Sequence, residues 1–244
     1  GEKATALGPK NAQAFYWLGN AYGNRIGEVG MLSKLSIAPK LRDAFEQAVK
    51  LDPALIAARG SLMEFYLVAP GAIGGGIDKA RAQATAIARY DRARGYMALG
   101  RIAMHEEKPV EALKAYELAQ ASKPDDEQLK LSLVMAYQKA KRWKEAYAMA
   151  SKWTVDQPKK ATPWYQIGRI AAESGQYLTE GEAALRTFLK LAREPSDPEP
   201  KHARYRLGQV MAKAGRKDEA RTELQAAIKI DPKFKEAKAA LAAL

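Results

Sequence analysis

The chain is predicted to be all-α, a stack of helix pairs, on three observations. Ala, Leu, Lys, Glu and Arg are abundant and β-branched residues are sparse, a composition that favours helix. Apolar residues follow helical spacing, as in Met31, Leu35, Ala38, Leu41, Phe45 and Ala48. A tract also repeats itself: Leu99-Gly100, Ala112, Tyr116, Ala119 and Pro124 are followed by Leu133, Tyr137, Ala146, Ala150, Trp153 and Pro158, and Pro124 and Pro158 stand 34 residues apart.

In chain order, residues 1–11 read as the tail of a preceding helix, ended by Gly8-Pro9. Residues 12–55 form a first repeat, with Phe15, Leu18, Gly19 and Tyr22 on its first helix and Phe45, Ala48 and Pro53 closing its second. Roughly ten extra residues lie within its segment 23–40, and their helical spacing predicts an extended second helix with Pro39 as a kink. That extension would bring Met31, Leu32, Leu35 and Ile37 beside a groove mouth or over the exposed end of the stack. Residues 56–92 form a degenerate second repeat, interrupted by the Gly-rich segment 69–76. Residues 93–126 and 127–160 are the most regular repeats, 161–200 is a fifth that breaks at its Pro-rich end, 201–234 is a sixth, and 235–244 reads as a capping helix.

Each recurring residue type has a physical role. Gly19, Gly100, Gly168 and Gly208 lack bulk, so two helices can approach there while Leu, Tyr and Trp fill the space beside them. Pro at the repeat ends stops a helix and lies in the turn. Asp125 and Asp218 are expected as helix N-caps.

With this spacing and order of residues the chain resembles the tetratricopeptide repeat family over nearly its whole length. Repeats three, four and six match well, one and five moderately, two weakly. The first repeat's insert and residues 43–53 are also similar to the regulator-of-microtubule-dynamics branch of the family. The resemblance implies a right-handed superhelical α-solenoid of about six helix-turn-helix repeats plus the C-terminal capping helix, with insertions in repeats one and two. It further implies that the fifth and ninth positions of each first helix line a concave surface. Those positions supply Tyr16, Asn20, Glu64, Met97, Arg101, Leu131, Met135, Tyr165, Arg169, Tyr205 and Gln209 as candidate binding residues. Chaperone-binding members clamp a partner's C-terminal carboxylate with Lys, Asn and Arg; here Asn20 matches but Tyr16 stands where the Lys would be.

Catalytic signals are missing from the sequence. Zero cysteines exclude disulfides, thiol catalysis and thiolate metal sites. The two histidines, His105 and His202, are far apart and suit solitary surface positions better than a metal pair. Gly74-Gly75-Gly76 is not followed by the Gly-Lys-Ser/Thr of a phosphate-binding loop. It reads as an interhelix loop, with an anion cradle as the alternative and Ile73 and Ile77 as packing or lid residues. No enzyme activity, cofactor or metal is expected.

A lining of Tyr, Met and Leu with two arginines suits a protein segment with apolar anchors and one polar end. The expected function is therefore a non-enzymatic scaffold that holds a protein or peptide partner in its groove. The alternative is a carrier of an apolar small molecule, a lipid or sterol, enclosed by the solenoid and its inserts, in transport across a bacterial envelope. Forty basic against 28 acidic residues give a net charge of +12, which reads as solvated, Lys-rich outer helix faces, with attraction to a membrane surface or acidic partners as the alternative. Nucleic acid is disfavoured because Lys and Arg look scattered. The chain opens at Gly1 without Met, which leaves room for an upstream segment such as an export signal or lipid anchor; a periplasmic or outer-membrane-associated location is expected, with the cytoplasm as the alternative.

Overall fold

A computed structural model describes residues 2–123 and 125–244, and all their side chains except those of Met31 and Leu32. Pro124, which helps set the 34-residue interval, and the Met31 and Leu32 side chains expected near a groove mouth lie outside the described residues. The described residues form α-helices and no strand: α1 (Glu2–Leu7), α2 (Ala12–Glu28), α3 (Met31–Leu51), α4 (Ile56–Val68), α5 (Ile77–Ala88), α6 (Arg92–His105), α7 (Pro109–Ser122), α8 (Glu127–Lys139), α9 (Trp143–Asp156), α10 (Ala161–Ser174), α11 (Leu178–Lys190), α12 (Pro200–Lys213), α13 (Lys217–Ile230) and α14 (Lys235–Ala242). A 3-10 turn at Gly71–Ile73 follows α4. Most links between successive helices span two to four residues, which forces the chain back on itself and sets up helix–turn–helix pairs.

The helices divide into two compact units, residues 1–129 and 130–244. In the first, α2 packs on α3, α4 on α5, and α6 on α7. Its core gathers Phe45, Leu62, Met63, Tyr66, Ala84, Ile87 and Ile102. The Tyr22 hydroxyl donates to Glu2 Oε1 at 2.7 Å and ties α1 to α2. In the second unit α10 pairs with α11 and α12 with α13. Leu185, Phe188, Leu207 and Met211 fill one core cluster and Val134, Ile167 and Ile170 another. Phe234 and Ala237 fold α14 onto Leu224 and Ala227.

One contact recurs in four of these pairs. A Cβ built at Gly19 would overlap the Phe45 ring, one at Gly100 the Tyr116 ring, one at Gly168 the Leu185 side chain, and one at Gly208 would lie 2.6 Å from Leu224 Cγ. The first helix contributes no side chain and the second fills the gap. Two pairs reverse the division of volume. Met63 and Val134 occupy the corresponding first-helix position, and their clusters include, from the second helices, the fully buried Ala80 and Ala84 and the fully buried Ala146 and Ala150.

The segment read as an insertion in repeat one is helical. α2 runs to Glu28, α3 starts at Met31, and only residues 29–30 lie between. Pro39 sits inside α3, where it has no N–H to donate to the carbonyl one turn back.

The expected N-caps need correction. Asp126, not Asp125, caps α8: its Oδ1 accepts from the Leu129 amide at 3.0 Å. Asp218 is the second residue of α13, whose N-cap is Arg216, and its carboxylate instead accepts from Arg221 Nη1 at 2.9 Å. Asn11 and Asp91 are further caps, accepting from the amides of Ala14 and Arg94.

Arg216 links two helices of the second unit, donating from Nη1 to Glu182 of α11 and from Nη2 to Glu219 of α13, both at 2.5 Å. Glu182 also pairs with Arg186 at 2.9 Å. The hydrogen bond from Arg216, with Arg186 adding to it against a smaller opposing effect of burial, holds the Glu182 carboxyl below the usual glutamate range.

Two outcomes follow for stability. Gly168→Ala should destabilise by about 1–3 kcal/mol in urea unfolding, although Ala is the better helix former by about 1 kcal/mol. Adding Leu185→Ala should cost less than the sum of the two single changes, because each vacates what the other needs; a neutral Gly168→Ala would contradict the close approach. A depressed folded-state pKa means that Glu182 stabilises the fold above its unfolded pKa, and that this contribution is lost as pH falls through the folded value. Wild type should therefore lose stability faster than Glu182→Gln as pH is lowered from about 5, read as urea midpoints; parallel curves would contradict the pairing.

Candidate functional site

In the first unit, the departures from regular repeat length border an open cavity of about 500 Å3. Gly23 and Ile26 of α2, Leu35, Ala38, Leu41 and Phe45 of α3, Phe65 and Val68 of α4, and Ala69, Pro70 and Ile73 of the following loop form its apolar wall. Lys34, Ser61 and Glu64 are its polar members. Leu35 and Val68 are 53% and 67% exposed, so the mouth presents aliphatic surface to solvent. The extra turns of α3 supply Lys34, Leu35 and Ala38, and without the Gly-rich loop Ile73 would not reach the wall.

Hydrogen bonds hold this loop in one shape. The amides of Gly74, Gly75 and Gly76 donate to the carbonyls of Gly71, Pro70 and Tyr66. Its carbonyls take cations: Arg42 Nη1 donates to Ile73 O at 3.3 Å and Lys79 Nζ to Gly74 O at 3.0 Å. A Cβ at Gly75 would overlap the Ala69 carbonyl, and Gly74 has φ +98°, so glycine is required at both. With all three glycine amides engaged, the anion-cradle alternative fails. Nearby, the Tyr66 hydroxyl donates to Glu46 Oε1 at 2.6 Å; burial first, then this hydrogen bond, pushes its pKa well above the tyrosine range.

Among the candidate residues in this unit, Glu64 lines the cavity, and Arg101 of α6 grips it along one edge of its guanidinium, Nε facing Oε1 and Nη2 donating to Oε2 at 2.7 Å. Tyr16 packs its ring 6.1 Å from Phe45 and 5.3 Å from Trp17. Asn20 and Met97 are half-buried. Candidate selection by repeat position missed Phe65, Val68, Ile26 and Leu41; the paired length anomalies at 23–40 and 69–76 were the available signal.

In the second unit the candidates largely satisfy one another. Glu173 Oε1 accepts from Arg169 Nε at 2.9 Å and pairs with Arg206 Nη2 at 3.2 Å. Arg206 Nη1 donates to Gln209 Oε1 at 3.0 Å, and Gln209 Nε2 donates to the Tyr205 hydroxyl at 2.8 Å. Two guanidiniums on one carboxylate leave a net positive charge. Tyr165 is corrected from binding surface to core: it is 8% exposed, with its ring 5.4 Å from Phe188. Leu131 and Met135 are half-buried. The expectation of a solitary surface position fails for His202, which is half-buried edge-on to Phe234 at 5.2 Å, and burial lowers its pKa. Among the described residues no group of three or more His, Asp or Glu stands close enough to hold a metal, and no helix is long and apolar enough to cross a membrane.

The model of the family described as tetratricopeptide repeat matches residues 74–127 and 165–233, together half of the chain. None of the curated proteins matches the chain. Among solved structures, the APC/C hetero-tetramer Cut9–Hcn1 is similar with TM-score 0.68 and 19% identity over 98% of this chain, which spans only 44% of that one. YrrB, described as a tetratricopeptide repeat protein with an unusual peptide-binding site, is similar with TM-score 0.55 and 19% identity, covering 82% of this chain and 98% of its own. PilF of Pseudomonas aeruginosa is similar with TM-score 0.65 and 12% identity, covering 96% of this chain and 97% of its own. At these identities the likeness is one of fold. From the matched family model and the glycine-spaced helix pairs together, the chain belongs to the tetratricopeptide repeat family.

Proposed function

We propose that the chain is a non-enzymatic scaffold whose first unit holds a protein segment through apolar anchor side chains. The observation that carries this reading is the cavity of about 500 Å3 between α2, α3, α4 and the Gly-rich loop, open to solvent past Leu35 and Val68. Its size lies within the range of about 300–1,000 Å3 at which pockets take a discrete ligand group. An amphipathic helix that seats residues three and four apart would match it, because α3 and α4 form a trough with an open top. Glu64, fixed by Arg101, and Lys34 on the wall give the segment polar points of register. A peptide-binding site in YrrB supports a partner of this class. Within the second unit, Arg169, Arg206 and Gln209 offer polar positions for a separate segment.

A lipid or sterol would suit the same apolar walls. A stoichiometric lipid in the solvent extract of gently purified protein, read by mass spectrometry, would replace the segment reading; an empty extract would leave the cavity to a protein segment.

Peptides selected from a displayed random library should carry two or more large apolar residues at helical spacing. Val68→Asp and Leu35→Asp, at exposed positions that leave folding intact, should each weaken those peptides by about tenfold or more in fluorescence anisotropy. Undiminished binding to both variants would overturn the reading.

A further inference from the structure

The positive charge is not scattered, contrary to its appearance in the sequence. Residues 1–129 hold 17 basic and 15 acidic residues, whereas residues 130–244 hold 23 and 13, so +10 of the +12 belongs to the second unit. Its densest stretch is Lys139-Ala140-Lys141-Arg142-Trp143-Lys144, the turn that joins α8 to α9.

Local backbone hydrogen bonds fix this turn: the Arg142 amide donates to Tyr137 O at 2.9 Å and the Lys141 amide to Gln138 O at 3.0 Å. The same pair of bonds closes the α12–α13 turn, from Arg216 to Met211 O and from Gly215 to Ala212 O. There the left-handed residue is Gly215; here it is Lys141, at φ +57°. A lysine in that conformation is less stable than glycine. The cations of the two turns are also used differently. Arg216 is bound by Glu182 and Glu219, and Lys217 Nζ donates to Leu244 O. Arg142 pairs with Glu145 at 2.8 Å and lies over the Tyr137 ring at 4.9 Å. Lys139, Lys141 and Lys144 are exposed, and among the described residues none of the three has an ion pair or a hydrogen-bonded side-chain partner. The dipole of α8 favours Lys139 and Lys141 at its C-terminal end, but Lys144 stands in the first turn of α9, where a cation is disfavoured.

We infer that the Lys139–Lys144 turn is a docking surface for an acidic protein segment, a second interaction site that does not depend on the apolar cavity. Three unpaired ammonium groups on a rigid turn are point charges that suit carboxylates spaced along an extended chain, and they would speed encounter by long-range attraction. Single-stranded nucleic acid would need open aromatic faces on which to stack. The aromatics here are occupied: Tyr147 and Tyr177 stack on each other at 4.0 Å, Arg142 covers Tyr137, and Trp143 packs against the core. A membrane surface would gain little per lysine from charge alone, and firm attachment takes an inserted apolar side chain as well. The exposed large hydrophobic residues among those described all lie outside residues 139–147.

The test titrates a fluorescent polyglutamate peptide of about ten residues, which has no apolar anchor, against the whole chain. Affinity should fall steeply between about 50 and about 300 mM salt. Changing Lys139, Lys141 and Lys144 to Gln should weaken binding by about tenfold or more, while changing Lys229, Lys233 and Lys238 to Gln, an equal loss of charge, should alter it by less than about twofold. Lys141→Gly should raise the melting temperature and still weaken the peptide, which separates binding from folding. Val68→Asp should leave this titration unchanged, so failure of the cavity reading would not be mistaken for failure here. Equal weakening by both triple changes would overturn the inference, as would tighter binding of a single-stranded oligonucleotide or of phosphatidylglycerol vesicles than of the peptide.

Discussion

Everything else in the molecule depends on how two neighbouring helices share one volume where they cross. In four pairs a glycine on the first helix yields that volume to Phe45, Tyr116, Leu185 or Leu224 on the second. In two others Met63 or Val134 stands at that first-helix position, in a cluster with buried alanines of the second helix. Because interiors are packed to crystal density, neither partner can grow without displacing the other. That constraint fixes the spacing within each pair and decides which helix face is left for other contacts.

The candidate site lies where the repeating pattern is interrupted. Regular pairs spend their apolar surface on each other. In the first unit α3 begins earlier than a regular repeat would place it, and the loop after α4 is long, so Leu35, Ala38 and Ile73 come to stand around a space that the helix pairs themselves do not fill. Arg42 and Lys79 hold the loop through its carbonyls, with the glycine amides turned inward. The wall is therefore preorganised, which spares a bound segment the entropy of ordering it.

How far the sequence discloses this differs from feature to feature. The helix pairs were legible because Gly100 and Tyr116, or Gly168 and Leu185, sit at fixed offsets dictated by local geometry. The capping residue was not: Asp125 and Asp126 differ by one position, and only the backbone path of the turn chooses between them. Tyr165 was misread because a tyrosine at that repeat position can point to solvent or turn its ring onto Phe188, a choice made by tertiary packing. Glu173 and Arg206 escaped notice because an ion pair between α10 and α12 joins residues 33 apart in the sequence. Charge segregation was present in the residue counts all along, but it acquires meaning only once the boundary near residue 130 is known.

Methyl NMR on the Ile, Leu and Val side chains, during titration with a library-selected segment, tests the central claim most directly. A bound segment in the cavity of the first unit should move the methyl signals of Leu35, Val68 and Ile73 while leaving Leu185 and Val155 in place. Saturable binding that leaves those three signals unmoved would contradict the account.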